Sequence, residues 1–316
     1  MKNLIWLIGS GPMSVSYAKV LSDIGTPFKV IGRGQSSAKD FKEKTGIIVI
    51  EGGLSKYLET KPEIPKWVIV STGVEELFNT SKTLIDYGVK DILCEKPGGL
   101  NSTQIKNLSE IAINAKANVF LAYNRRFYGS VAKAKEIVVE DGGVTSFSFE
   151  FTEWSHVIEN IVKADGVLEH LFLNNSSHVA DLAFYLGGKP SVLHCNISGG
   201  VNWHKCSSIF SGSGKTETNA LFSYQANWEA PGRWGVEILT KKHRLYLRPM
   251  EKLQIQNIGS VKVEFVEIDE SLDLQYKPGL YKQVEAFLNG DISNFITIQE
   301  QAEMTNIYNQ IAGYQD

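Results

Sequence analysis

Several short stretches of the chain carry residues whose types and spacing could do chemistry. The first is Gly9-Ser10-Gly11-Pro12-Met13-Ser14, a G-x-G-x-x-S run. Gly9 permits a tight turn, and a side chain at Gly11 would fill the space a diphosphate needs to reach the backbone. Pro12 suits a first helical turn, where a missing N–H goes unnoticed. Ser10 through Met13 then open a helix whose free N–H groups and positive dipole end suit a phosphate. Ser14 stands where a third glycine or alanine is usual and is small enough for close packing. Without a ligand, the same residues make a plain strand-to-helix turn. The second stretch is Gly32-Arg33-Gly34-Gln35-Ser36-Ser37. NAD-binding turns place an acid about 20 residues past the glycines to hold the ribose 2′-hydroxyl. Gly32 occupies that place, while Arg33 with Ser36 and Ser37 would hold a 2′-phosphate by charge-assisted hydrogen bonds. NADP is therefore preferred over NAD, and NAD stays possible if Arg33 stacks on adenine or faces solvent. Further on stand Ser71-Thr72-Gly73, Glu95-Lys96-Pro97, Tyr123-Asn124-Arg125-Arg126-Phe127 and Asn174-x-x-x-His178-x-x-Asp181.

The periodicity places most of these stretches at the ends of elements. The apolar run 4–8 is short enough for a strand buried on both faces, and Met13, Val15, Ala18, Val20 and Leu21 follow at helical spacing. Further strands are predicted at 28–31, 46–50, 67–71, 91–94 and 119–123, with helices at 75–87 and 104–115. Ligands of open parallel sheets bind beyond the carboxyl ends of strands, which sets Ser71, Thr72 and Gly73 beside the cofactor. Past residue 124 the pattern changes. Residues 130–140 read as helical. Residues 145–154 alternate, with Phe147, Phe149 and Phe151 on one face, as a half-buried strand does. Residues 166–187 read as one helix. Strand-like runs follow at 191–198, 206–211, 217–227 and 234–240, then a hairpin of 244–248 with 253–257, then helices at 279–289 and 298–313. The fold class is α/β. Residues 1–124 form an N-terminal Rossmann domain, a doubly wound parallel sheet that binds NAD(P). Residues 125–316 form an α+β domain with a large open, mostly antiparallel sheet for substrate binding and oligomerisation.

Composition narrows the function classes. The chain has 316 residues, 43% hydrophobic and 21% charged, with a net charge of −3. That is a globular profile with no basic stripe, so nucleic acid is not an expected partner. Cys94, Cys195 and Cys206 are far apart and odd in number. They suit a reducing compartment, and neither they nor the histidines show zinc spacing, so no metal is assigned. The opening residues look superficially like a secretion signal, but the apolar run is short and Gly-Ser-Gly-Pro breaks it. A first strand is the better reading. No stretch spans a membrane, and the expected location is cytoplasmic.

Read together, EKP after the fifth strand, YNRRF after the sixth and the later NxxxHxxD resemble the glucose–fructose oxidoreductase / inositol dehydrogenase (Gfo/Idh/MocA) family over nearly the whole length. PGRWGVE (231–237) and KPGLYKQVEAF (277–287) also look familial. The resemblance implies a two-domain, nicotinamide-dependent oxidoreductase acting on sugars, polyols or nucleotide sugars. The substrate would lie between the nicotinamide and the open face of the second sheet. The family lysine maps onto Lys96 and the family histidine onto His178. Many members carry an aspartate four residues before that histidine; here it is Asn174. The catalytic expectation is thus Lys96, His178 and Asn174. Glu95, Lys96, Asn124 and Arg125 are expected at the cofactor, and Lys96, Tyr123, Arg125, Trp154, Asn174 and His178 at the substrate.

The chemistry explains the residue types. Oxidising a secondary alcohol sends hydride to the nicotinamide and a proton to a base; the reverse needs an acid at the developing alkoxide. Lys96 can be that acid or base and, as a cation, polarise a carbonyl. His178 can hold the hydroxyl. A carboxylate beside His178 would raise its basicity, whereas an asparagine only orients it. Two other readings stay open: a cofactor-binding regulator or scaffold that has lost turnover, which Asn174 motivates, and a reductase of a non-sugar carbonyl or imine, which a deep apolar pocket would favour. Glu153, Trp154, His156, Trp203, His204, Arg233 and Trp234 are further groups for the substrate face. An uncovered apolar sheet face rarely stays exposed, so a homodimer or homotetramer through the C-terminal sheet is expected.

Overall fold

A computed structural model describes residues 4–204 and 206–315. The chain divides into two compact units, Met1–Asn124 with Leu272–Glu303, and Arg125–Ser271 with Met304–Asp316. The first unit opens with β1 (Ile5–Ile8), buried along its whole length. It continues through α1 (Pro12–Ile24), β2 (Phe28–Ile31), α2 (Gln35–Thr45), β3 (Val49–Ile50), α3 (Gly53–Glu59), β4 (Trp67–Val70), α4 (Leu77–Tyr87), β5 (Asp91–Cys94), α5 (Ser102–Ala115) and β6 (Asn118–Leu121). The strands pair in parallel, with β1 between β2 and β4. The chain winds outward from β1 to β3, then returns to start β4 on the other side of β1. This reversal leaves a crevice at the carboxyl ends of β1 and β4. The predicted third strand shrinks to two residues. Helices α2 and α3 had no sequence signal: α2 buries only Ala38 and Phe41.

The second unit contains α6 (Gly129–Glu140), β7 (Ser146–Glu150), α7 (Ser155–Ile158), α8 (Ser177–Gly187), β8 (Pro190–Ser198), β9 (Ile209–Thr216), β10 (Leu221–Asn227), β11 (Gly235–Leu239), β12 (His243–Leu247), β13 (Gln254–Asn257) and β14 (Val263–Phe265). They form one sheet in the order β14-β13-β12-β11-β7-β10-β9-β8. Only β7 with β10 is parallel; the other neighbours are antiparallel. One face carries the core. Phe184 of α8 meets Phe147, Phe149 and Phe222 edge-on at 5.4–6.1 Å, each buried ring contributing roughly 1.5–3 kcal/mol. Along β10, Phe222, Tyr224 and Ala226 are buried while Leu221, Ser223 and Gln225 are exposed. Two expectations are corrected. Strand β7 stops at Glu150, so Trp154 lies beyond it, at the start of α7. The segment read as one helix from 166 is a turn through residue 170, then a π-helical turn at Phe172–Ser176, then α8.

After β14 come α9 (Ser271–Gln275), α10 (Leu280–Asn289), β15 (Ile296–Thr297) and α11 (Ile298–Ala312). The stretch Leu272–Glu303 belongs to the first unit. This corrects the expectation that everything after residue 124 builds the second domain. The cause is pairing: β15 adds antiparallel to β6, completing a seven-stranded sheet in the order β15-β6-β5-β4-β1-β2-β3. Helix α10 packs against α1, and its Phe287 meets Phe120 and Phe295. No helix among the described residues is long and apolar enough to cross a membrane.

Candidate functional site

At the end of β1, Gly9 has φ +118°, and a Cβ there would stand 2.6 Å from the Ser71 carbonyl oxygen. Only glycine closes this approach of β1 to the end of β4. Gly11 differs. It has an ordinary φ of −84°, and a Cβ there would meet nothing within 4 Å. The fold itself leaves room for a side chain at Gly11; a ligand reaching the backbone does not. Helix α1 begins at Pro12, and its first-turn N–H groups have no intrahelical acceptors. Ser14, in the third-glycine place, sets its Oγ 2.7 Å from Ser71 Oγ and so ties α1 to β4.

A groove of about 510 Å³ surrounds this turn, lined by Gly9, Ser10, Gly11, Arg33, Ser37, Ser71, Thr72 and Gly73. Thr72 Oγ1 is buried there with no hydrogen-bond partner among the described residues, a polar atom that a ligand would satisfy. The open space at Gly11, the orphaned Thr72 hydroxyl and the helix start fit a dinucleotide. Of the other residues expected here, Pro12 and Met13 begin α1 without lining the groove, and Ser36 is exposed on α2 outside it. The groove also takes in Gly52, Gly53, Glu75, Glu76 and Asn79; the Gly-Gly pair after β3 was the one sequence signal that could have revealed part of this set. At Gly32 a Cβ would stand 2.7 Å from Ser10 Oγ and 2.8 Å from Val49 Cγ1. A side chain at that position requires Ser10 and Val49 to shift. Arg33, 78% exposed, pairs with Glu76 at 2.7 Å.

Glu95 and Lys96 follow β5, and the Lys96–Pro97 bond is cis. Tyr17 donates its hydroxyl to Glu95 Oε1 at 2.8 Å. Burial pushes the Glu95 carboxyl above the usual carboxylate range, against the Tyr17 bond and the Lys96 and Lys277 charges. Glu95 is thereby fixed beside Lys96. Two of the expected ligand residues also have partners within the protein. Tyr123 is buried and its hydroxyl accepts from Gln301 Nε2 at 3.0 Å. Asn124 donates its amide to the Pro278 carbonyl at 2.9 Å.

In the second unit, His178 opens α8 just after the π-helical turn and is 8% exposed. Its ring lies 6.2 Å from that of Trp234. Asn174 stands inside the π-helical turn and donates Nδ2 to the Val167 carbonyl at 3.1 Å. An aspartate could not make that bond. Buried Glu153 accepts from Ser176 Oγ at 2.6 Å and Asn175 Nδ2 at 3.0 Å, which pins the same turn. Arg126 forms a two-pronged pair with Asp181, Nε–Oδ2 2.8 Å and Nη2–Oδ1 2.6 Å. Asp181 is thus structural, and Arg125 is the arginine with donors to offer. Trp154 is half-exposed and donates Nε1 to the Gly232 carbonyl at 3.0 Å. His204 is buried, with Nδ1 on the Ser207 carbonyl and Nε2 on the Tyr314 hydroxyl, so it anchors a loop. Among the described residues no group of three or more histidine, cysteine or carboxylate side chains could hold a metal.

No protein-family model matches this sequence, and no curated protein matches it. Solved structures match over nearly its whole length. UDP-N-acetylglucosamine 3-dehydrogenase GnnA from Acidithiobacillus ferrooxidans is 14% identical, covers 98% of this chain and 97% of its own, and gives a TM-score of 0.74. An oxidoreductase from Agrobacterium radiobacter in complex with NAD+, L-tartaric acid and magnesium is 12% identical, over 99% and 96% of the two chains, with a TM-score of 0.79. Levoglucosan dehydrogenase in complex with NADH is 16% identical, over 99% and 97%, also at 0.79. At these identities the shared property is the fold. The chain has the fold of these dehydrogenases, a Rossmann sheet joined to an α+β unit with a large, mostly antiparallel sheet. It is the fold implied by the resemblance that EKP and YNRRF carry.

Proposed function

We propose that this chain is a nicotinamide-dependent oxidoreductase that moves a hydride between the cofactor and a secondary alcohol or ketone of a sugar, polyol or nucleotide sugar. The observation that carries the reading is the groove at the β1/β4 switch point, with open space at Gly11 and an unpartnered Thr72 hydroxyl. The neighbouring folds belong to a nucleotide-sugar dehydrogenase and a levoglucosan dehydrogenase, which supports the substrate class. Gly9 to Met13 and Ser71 to Gly73 would hold the diphosphate and nicotinamide ribose, and the bound nicotinamide supplies the hydride acceptor or donor.

Lys96 acts on the proton. As an ammonium it donates to the developing alkoxide during reduction; as an amine it takes the hydroxyl proton during oxidation. Glu95, held by Tyr17, orients the loop that carries it. His178 binds and aligns the hydroxyl. NADP is the preferred form in this reading: no acid stands at Gly32, and the exposed Arg33–Glu76 pair is worth at most about 1 kcal/mol, so a 2′-phosphate can compete for the guanidinium. The reading also includes a reducing, cytoplasmic setting and self-association through the exposed face of the second sheet.

Turnover of NADP+ and NAD+ with a panel of sugars, polyols and nucleotide sugars tests the proposal. Lys96→Met is expected to lower kcat by about 10²–10⁴-fold, while His178→Ala raises KM more than it lowers kcat. Near-normal turnover in Lys96→Met would overturn the assignment of the proton to that residue.

A further inference from the structure

Trp234 stands just before β11, between two guanidiniums in the sense of contact. The Cζ of Arg125 and the Cζ of Arg233 each lie 4.8 Å from its ring centre. The His178 ring is 6.2 Å from the same indole, so one tryptophan is shared by both charges and by the histidine assigned to the substrate. Stacking on an aromatic face holds a guanidinium by its plane and leaves its N–H edge able to donate.

Those edges are poorly used. Arg125 Nε is buried with no hydrogen-bond partner among the described residues. Arg233, whose side chain is 51% exposed, reaches Glu153 Oε2 only at 3.5 Å, long for a charge-assisted bond of about 2.7–2.9 Å. Ser176 and Asn175 both donate to Glu153 Oε1, so Oε2 is the oxygen that faces Arg233. Burial, with the Arg233 charge adding to it, weakens the hold of Arg125 on its proton despite Tyr128, Glu251 and Glu153 nearby. A buried donor without an acceptor carries its full desolvation cost, and a charged group carries more.

We propose that Arg125 and Arg233, fixed by Trp234, form a receptor for one anionic group of the substrate, a carboxylate or a phosphate. This rests on the dehydrogenase reading and narrows it: the substrate is an acidic sugar derivative, a sugar acid, sugar phosphate or nucleotide sugar, and not a neutral sugar or polyol. Both oxyanions match the planar fork of a guanidinium, and two forks give a two-sided grip.

Glucose, glucuronate and glucose 6-phosphate differ at a single carbon and serve as probes. Titrated into the protein both with and without NADP+, the anions are expected to change tryptophan fluorescence, and glucose is not. The tighter of the two names the group. Arg233→Ala and Arg233→Gln, each checked for folding by its melting temperature, weaken the anion response about tenfold or more, Arg233→Lys recovers part of it, and added salt diminishes it. Equal responses to glucose and the anions, no response to either anion, or an unchanged response in Arg233→Ala would overturn the proposal. NADPH binding, read separately from nicotinamide fluorescence, judges the parent reading: its absence removes the dehydrogenase while the anion titrations still decide the receptor.

Discussion

Asn174 holds the place where related motifs carry an acid, and its surroundings explain the exchange. Its Nδ2 donates to the Val167 carbonyl from within the π-helical turn that precedes His178. An aspartate would turn an oxygen toward that carbonyl. Asn174→Asp is therefore expected to lose about 1–3 kcal/mol of stability and to gain no activity, measured by urea unfolding and by initial rates. A large gain would mean that the catalytic set has decayed and that the scaffold reading is right. The glycines make the same point about cause. Gly9 is required by the protein, because of the Ser71 carbonyl; Gly32 is required by Ser10 and Val49; Gly11 is required by neither. The motif was legible in the sequence, but which glycine serves the fold and which serves a ligand was not, since that depends on strands that lie far away in the chain.

At the scale of elements, strong apolar periodicity marked β1, β2, β4 and β5 and most of the sheet in the second unit. Elements with little to bury were not marked. Helix α2 is mostly exposed, β15 is two residues long, and β9 continues through Gly212 and Gly214, past the run expected at 206–211. Those glycines lie against Tyr224 and Phe222 of β10, so they are strand residues made small by their neighbours. The π-helical turn gave no signal because its composition is that of a helix. The loop between β8 and β9 offers a pH test. His204 is buried with Nδ1 at the Ser207 carbonyl, and burial pulls its pKa down from 6.5 to about 4. Between those values the unfolded chain takes a proton that the folded chain refuses. Stability is therefore full above about pH 6.5 and falls as the pH is lowered, by about 2 kcal/mol at about pH 5. Urea unfolding at several pH values should show this slope in the wild type and a shallower one in His204→Gln; identical slopes would contradict it.

At the scale of the whole molecule, the change of pattern after residue 124 was readable because buried strands gave way to alternating ones. The return of Leu272–Glu303 to the first unit was not, because nothing local in β15 or α10 says which sheet they join. The exposed face of the second sheet also differs from the apolar patch expected of it. Val192 and Leu221 stand there among Ser211, Ser213, Lys215, Ser223 and Gln225. Self-association through this face would bury little apolar area and should be weak and concentration-dependent. Light scattering across a dilution series is expected to show dissociation, with Leu221→Glu shifting it to higher concentration; a dimer that persists unchanged in the variant would place the interface elsewhere.

The central claim is that the groove beside Gly11 is a dinucleotide site, and NADPH titration followed by nicotinamide fluorescence tests it most directly. Wild-type protein should give a saturable enhancement at micromolar concentrations, stronger with NADPH than with NADH. Gly11→Ala should lose about tenfold or more in affinity while its melting temperature stays close to that of the wild type, because a Cβ there meets no protein atom within 4 Å. Wild-type protein that binds neither nucleotide, or a Gly11→Ala protein that binds as well as wild type, would contradict the account.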